Sequence, residues 1–195
     1  LFSTLYPSSE RPGHGIFVET RLRELLKTGR VETRVVAPVP WFPWRSTRFG
    51  ERAAMARTPY RETRHGIDVQ HPRFTLLPKL GMSSAPLALA LGARRAVQRL
   101  LDEGFDFDLI DAHYFYPDGV AAAIVARALG KPLFITARGS DVNLIAQHAL
   151  PRRMMLWAAR QATGCIGVSQ ALVNAMRQLG MPADRLHMLR NGVDL

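Results

Sequence analysis

Short apolar runs alternate with helix-length amphipathic stretches along this chain of 195 residues, and few folds accept that order. Residues 1–5, 31–37, 66–71, 107–112, 133–136, 164–168 and 186–189 read as strands. Residues 17–28 put Val18, Leu22, Leu25 and Leu26 on one helical face, with Glu19 and Arg23 as an i,i+4 pair. Further helices are predicted over 87–101, over 118–129 with Asp118 as its cap, over 151–161 opened by Pro151, and after Ser169 to 179. Gly29, Gly130 and Gly180 close three of them. Residues 133–136 are apolar almost without alternation, the pattern of a strand buried on both faces of a parallel sheet. Residues 38–65 interrupt the rhythm as an irregular, arginine-rich segment. The fold class is therefore α/β: a single domain with a doubly wound, mainly parallel, Rossmann-like sheet.

In such sheets ligands bind outside the carboxyl ends of the strands, so the residues that follow each strand carry the functional question. Gly13-His14-Gly15 occupies the first strand–helix turn, where dinucleotide folds carry G-x-G-x-x-G. Val18 stands at the third glycine position, so the nicotinamide fingerprint fails. The glycines still admit close backbone approach to a ligand, and the following helix N-terminus offers free amides to an anion. A plain turn satisfies the same residues. His113 and Tyr114 lie at the mouth of a buried strand: His113 as a base or a partner for a sugar hydroxyl, Tyr114 for stacking, or both as local packing. Arg138-Gly139-Ser140-Asp141 is the sharpest loop. Arg138 is a rigid fork for phosphate or carboxylate, and Asp141 orients it or merely staples the loop to it. Ser169 and the Asn191-Gly192 dipeptide stand at the last two strand exits, the dipeptide as a turn or a hinge. The six histidines are scattered and no cysteine cluster exists, which leaves no metal constellation; G-x-S-x-G is absent as well.

Charge narrows the partners. Lys and Arg number 26 against 16 Asp and Glu, a formal net charge of +10 that favours phosphate groups, acidic membrane surfaces or nucleic acid, or belongs to a solvated surface. Trp41-Phe42-Pro43-Trp44 beside Arg45, Arg48, Arg52 and Arg57 has the composition of an interfacial membrane anchor, of a lid over an acceptor pocket, or of a covered loop. The lone Cys165 excludes an internal disulfide and suits a cytoplasmic setting, and no run approaches the ~20 apolar residues that span a bilayer. The chain opens inside an apolar run and ends just past a strand, which predicts the first part of something larger.

The order of these loops resembles the N-terminal domain of the retaining GT-B glycosyltransferases of family four. The resemblance rests on Gly-x-Gly-Ile-Phe-Val-Glu at 13–19, Asp-x-Ile-x-Ala-His-Tyr-x-Tyr-Pro-Asp-Gly at 108–119, Thr-x-x-Gly-Ser-Asp at 136–141, Gly-Val-Ser at 167–169 and Asn-Gly-Val-Asp at 191–194. The segment 17–21 with 38–43 is similar to members that build exopolysaccharide or teichuronic-acid-type polymers. The resemblance implies an acceptor-side domain over 1–195, with 191–195 (Asn191 and Gly192 included) opening an interdomain linker to a nucleotide-sugar domain. It implies no cofactor and no metal, a nucleotide-sugar donor held mainly by that other domain, and a glycan or polyprenyl-phosphate-linked acceptor. It places His113, Arg138 and Asp141 in the cleft, and Gly13, His14, Gly15, Tyr114 and Ser169 toward the acceptor. The family's usual turn reads His-Gly, and Arg138 stands in the histidine's place here. An arginine cannot accept a proton, so charge neutralisation of a phosphate replaces any histidine-centred role. A sugar-nucleotide epimerase of the same two-domain plan and a basic binding module are the rival expectations. The second is weak for nucleic acid, since no recognition helix or stacking pattern is legible.

Overall fold

The computed structural model describes residues 1–76 and 81–192. Its elements follow in chain order: α1 (Ile16–Lys27), β1 (Val35–Val36), β2 (Val39–Pro40), α2 (Glu51–Arg57), β3 (Arg61–Arg64), β4 (Ile67–Gln70), β5 (Arg73–Phe74), α3 (Gly81–Asp102), β6 (Ile110–His113), α4 (Val120–Leu129), β7 (Leu133–Ala137), α5 (Ser140–Asn143), α6 (Ala149–Gln161), β8 (Gly164–Gly167), α7 (Gln170–Gln178) and β9 (Leu186–Met188). The sheet runs β3-β4-β1 on one side and β6-β7-β8-β9 on the other. Phe2 joins the halves through parallel bridges to Val36 and Ala112. The predicted first strand thus exists as a single bridging residue, and β1 shrinks to two residues of the expected 31–37. Every pairing in the sheet is parallel except β3 with β4.

Both faces are covered, and the period-two alternation decides which residue meets which layer. Ala112, Leu133, Ile135 and Cys165 face α3, α4 and α6 in the larger core. Val35, Ala37, Ile67 and Val69 face α1 through Val18 and Leu22 in the smaller one. Glu19 of α1 departs from the predicted pairing with Arg23. Its buried carboxylate accepts from Arg64 Nε at 2.8 Å, which ties α1 to β3. A buried carboxylate without such a partner is costly, which explains the choice.

Two other expectations give way. The segment 38–65 is not irregular throughout, since it holds α2 and β3. The helix predicted over 87–101 begins at Gly81, with Pro86 inside it. Proline lacks the N–H that would bind the carbonyl four residues back. That carbonyl, on Met82, instead accepts the Tyr116 hydroxyl.

Candidate functional site

The chemistry gathers where β6 and β7 end. Asp111 and His113 are two apart on β6, so both side chains leave the same face, toward α1. Asp111 Oδ2 lies 3.0 Å from His113 Nε2. A carboxylate only accepts, so Nε2 carries the proton; Arg138 Nη2 only donates, so Nδ1 receives it. Burial, then Arg138 and Arg21, lower the His113 pKa against the pull of Asp111, so the ring is neutral. Burial works against ionisation of Asp111, yet His113 and Arg21 hold its pKa below the usual carboxylate range. Both imidazole nitrogens are engaged. In this arrangement His113 positions Arg138 and presents no free nitrogen to a hydroxyl.

Arg138 is fixed on three sides: Nη2 on His113, Nη1 on Asn191 Oδ1 at 3.1 Å, and its carbon 4.9 Å from the Phe17 ring centroid. Among the described residues no carboxylate ion-pairs with it. Burial and the neighbouring Arg21 lower its pKa to about 10, still fully charged at neutral pH. Arg138 Nε, Arg21 Nη1 and Thr136 Oγ1 are buried here without hydrogen-bond partners. Unmatched donors in a positive field suit an anion.

Asp141 does not grip the guanidinium. Its carboxylate accepts the backbone N–H of Phe115 at 2.7 Å, Gly139 at 2.8 Å and Arg138 at 3.1 Å, stitching together the loops that follow β6 and β7. Asp118 is likewise no helix cap. Buried, it accepts from the Thr4 amide and hydroxyl, and burial raises its pKa to about 7 despite those bonds. Ser169 caps α7 by accepting from Leu172 N at 3.2 Å. The Tyr114 hydroxyl and Ser140 share a hydrogen bond of 2.9 Å.

The glycine turn forms a second focus. Gly15 has φ +69°, and a Cβ there would sit 2.3 Å from the Leu5 carbonyl oxygen, so glycine is required. Gly13 borders open space. His14 Nδ1 accepts from Arg11 at 3.0 Å, and Nε2 donates to Thr4 O at 3.0 Å. Burial and Arg11 lower its pKa. A cavity of about 360 Å³ lies alongside, with Thr4, Arg11 and His14 in its wall.

His113, Arg138 and Asn191 are therefore brought together, while His14 lines the cavity, Gly13 and Gly15 only shape the turn that carries it, and Asp141 and Ser169 shape backbone. Three contributors escaped the sequence reading: Asp111, Phe17 and Arg21. Asp111 was legible from its i,i+2 relation to His113. Phe17 and Arg21, one turn apart on α1, carried no signal until the helix was docked.

Comparison with known proteins bears on the family and the fold. The sequence pattern of the family described as Glycosyltransferase Family 4 matches residues 13–195. The protein of Bacillus subtilis strain 168 named as a teichuronic acid biosynthesis glycosyltransferase, TuaC, is 31% identical over 182 residues, 90% of this chain and 44% of that protein. The chain thus spans less than half the length of this relative. The structure of Anabaena HepE in complex with UDP-glucose superposes over 100% of this chain and 45% of its own, with a TM-score of 0.52 and 20% identity, a likeness of fold.

Proposed function

The chain belongs to glycosyltransferase family 4, and from that premise we propose that it is the acceptor-side half of a retaining GT-B glycosyltransferase. The observation that supports this most directly is Arg138: a half-buried cation with no paired carboxylate among the described residues, held by His113 and Phe17 at the carboxyl end of β7. The donor would be a nucleotide-sugar, held mainly by a second domain joined through the segment at Asn191 and Gly192. No cofactor enters this scheme. The bond from the anomeric carbon to the diphosphate oxygen breaks, a bond to the acceptor oxygen forms on the same face, and the acceptor proton passes to the departing phosphate. Charge grows on that phosphate, and a preorganised guanidinium stabilises it without reorganising. Arg138 and Arg21 supply positive charge, His113 and Asp111 hold the geometry, and the His14 turn with its cavity receives the acceptor, lipid-linked or polysaccharide. We place the protein in the cytoplasm, on the inner face of the membrane, with Trp41 and Trp44 toward lipid.

The test is turnover by the protein carrying this chain, with UDP-glucose as the first donor to try. Arg138→Ala is expected to lower kcat by about 100-fold or more, the usual cost of losing one such charge, with thermal unfolding little changed. Arg138→Lys should recover part of it. Near-wild-type turnover in Arg138→Ala would sink the proposal.

A further inference from the structure

The cavity beside His14 has a divided character. Its floor is apolar and buried: Tyr6, Val39, Phe74 and Ala85. Val39 and Ala85 are buried and lie outside the two apolar cores. At about 360 Å³ it has the size of a small-ligand site rather than a packing flaw. Arg11 and His14 sit half-buried in the same wall, with Arg11 free of any ion pair among the described residues. Met55 of α2 and the exposed Leu76 complete the rim. The next residue after β2, Trp41, donates its N–H to Phe74 O and is 54% exposed. An apolar trough thus runs from an arginine–histidine pair toward an exposed indole. A phosphorylated lipid matches both ends of such a trough, its apolar units on the floor and its phosphate at the arginine.

Resting on the glycosyltransferase reading, we propose that this cavity holds the first apolar units of a phosphorylated lipid acceptor, with the phosphate at Arg11. The cavity is then the element that selects a lipid-linked acceptor over a free glycan. The chain of the lipid leaves past Met55 and Leu76 toward Trp41, and the sugar to be extended points to Arg138.

Farnesyl phosphate, dodecyl phosphate, farnesol and inorganic phosphate, titrated separately against the protein carrying this chain, test this. At least one of the two phosphorylated chains is expected to bind ten-fold or more tighter than inorganic phosphate and than farnesol. The tighter of the two identifies the chain type. Ala85→Leu fills the floor and should weaken that binding ten-fold or more while inorganic phosphate binds as before. Should Ala85→Leu misfold, Met55→Trp narrows the same space from the half-exposed rim and takes its place. Inorganic phosphate binding as tightly as the amphiphiles would overturn the proposal, as would unchanged affinity in the filled variant. Sugar transfer to a soluble oligosaccharide, without lipid binding, would overturn it and leave the glycosyltransferase reading standing. Loss of transfer to every acceptor, with lipid binding intact, would strike that reading instead.

Discussion

Single residues at this site are chosen by what surrounds them. Asp118 is a carboxyl with no cation beside it among the described residues, so burial dominates and its pKa rises to about 7. The sign follows from linkage. Between roughly pH 4 and 7 the folded chain holds a proton that the unfolded chain has released, so stability falls as pH rises through that window, by up to ~1 kcal/mol per unit from this group. Asp118→Asn keeps the shape. Its oxygen can accept the Thr4 amide, and its NH₂ can donate to the Thr4 hydroxyl. Denaturant midpoints measured from pH 4 to 8 should therefore lose most of their decline in Asp118→Asn. An identical decline in both proteins would show that other groups carry it. Gly15 is constrained differently: Gly15→Ala adds a Cβ 2.3 Å from a backbone oxygen at positive φ. A destabilisation of about 2 kcal/mol or more is expected, whereas Gly13→Ala, with open space around it, should stay within ~1 kcal/mol.

At the scale of elements, short segments are made by their caps and neighbours. The nine-residue α7 starts at Ser169, whose hydroxyl accepts from Leu172 N. Ser169→Ala should cost about 1 kcal/mol, a fall of ~2–4 °C in Tm, with turnover nearly unchanged. A large loss of turnover at unchanged Tm would instead give Ser169 a direct part in acceptor binding. The elements that the sequence made legible were those whose own pattern decides them: β6 to β8, buried at all but one position each, and α4, closed by Gly130. What it hid was set elsewhere in the chain. Arg61–Arg64 holds three charged residues and a threonine and looks like loop; it becomes a strand because β4 offers it an antiparallel edge, with Arg61 clasping Asp68 at 2.7 Å. The site divides the same way. Arg138 and His113 stood out as strand-end residues, but their mutual contact depends on β6 pairing with β7, and the roles of Phe17 and Arg21 on where α1 docks. Asp118 and Asp141 looked like a cap and a partner for Arg138. Spacing alone cannot tell such roles from carboxylates that satisfy distant backbone amides.

For the whole molecule, the net charge of +10 acts at a distance while the aromatic segment acts on contact. Phe42, Trp44 and Phe49 pack on one another with ring centroids 5.4 to 5.5 Å apart, so this segment is an ordered knot rather than a loose loop. Trp41 and Trp44 nevertheless remain 54% and 55% exposed, next to Arg45, Arg48 and Arg52. Indoles belong at the headgroup level, and each nearby cation adds ~1 kcal/mol toward an anionic surface. No helix among the described residues is long and apolar enough to cross a membrane. Sedimentation with vesicles should therefore show binding to phosphatidylglycerol-containing bilayers and little to phosphatidylcholine alone. Raising salt from 0.1 to 0.5 M should weaken it, because the Debye length falls below the spacing of the charges from the headgroups. Trp41→Ser with Trp44→Ser removes two rings that each contribute ~1.5–3 kcal/mol on burial, so the partition coefficient should drop at least ten-fold even at low salt. Binding that survives loss of both rings but vanishes with salt would make the surface purely electrostatic. Equal binding to neutral and anionic vesicles would remove the charge from the account.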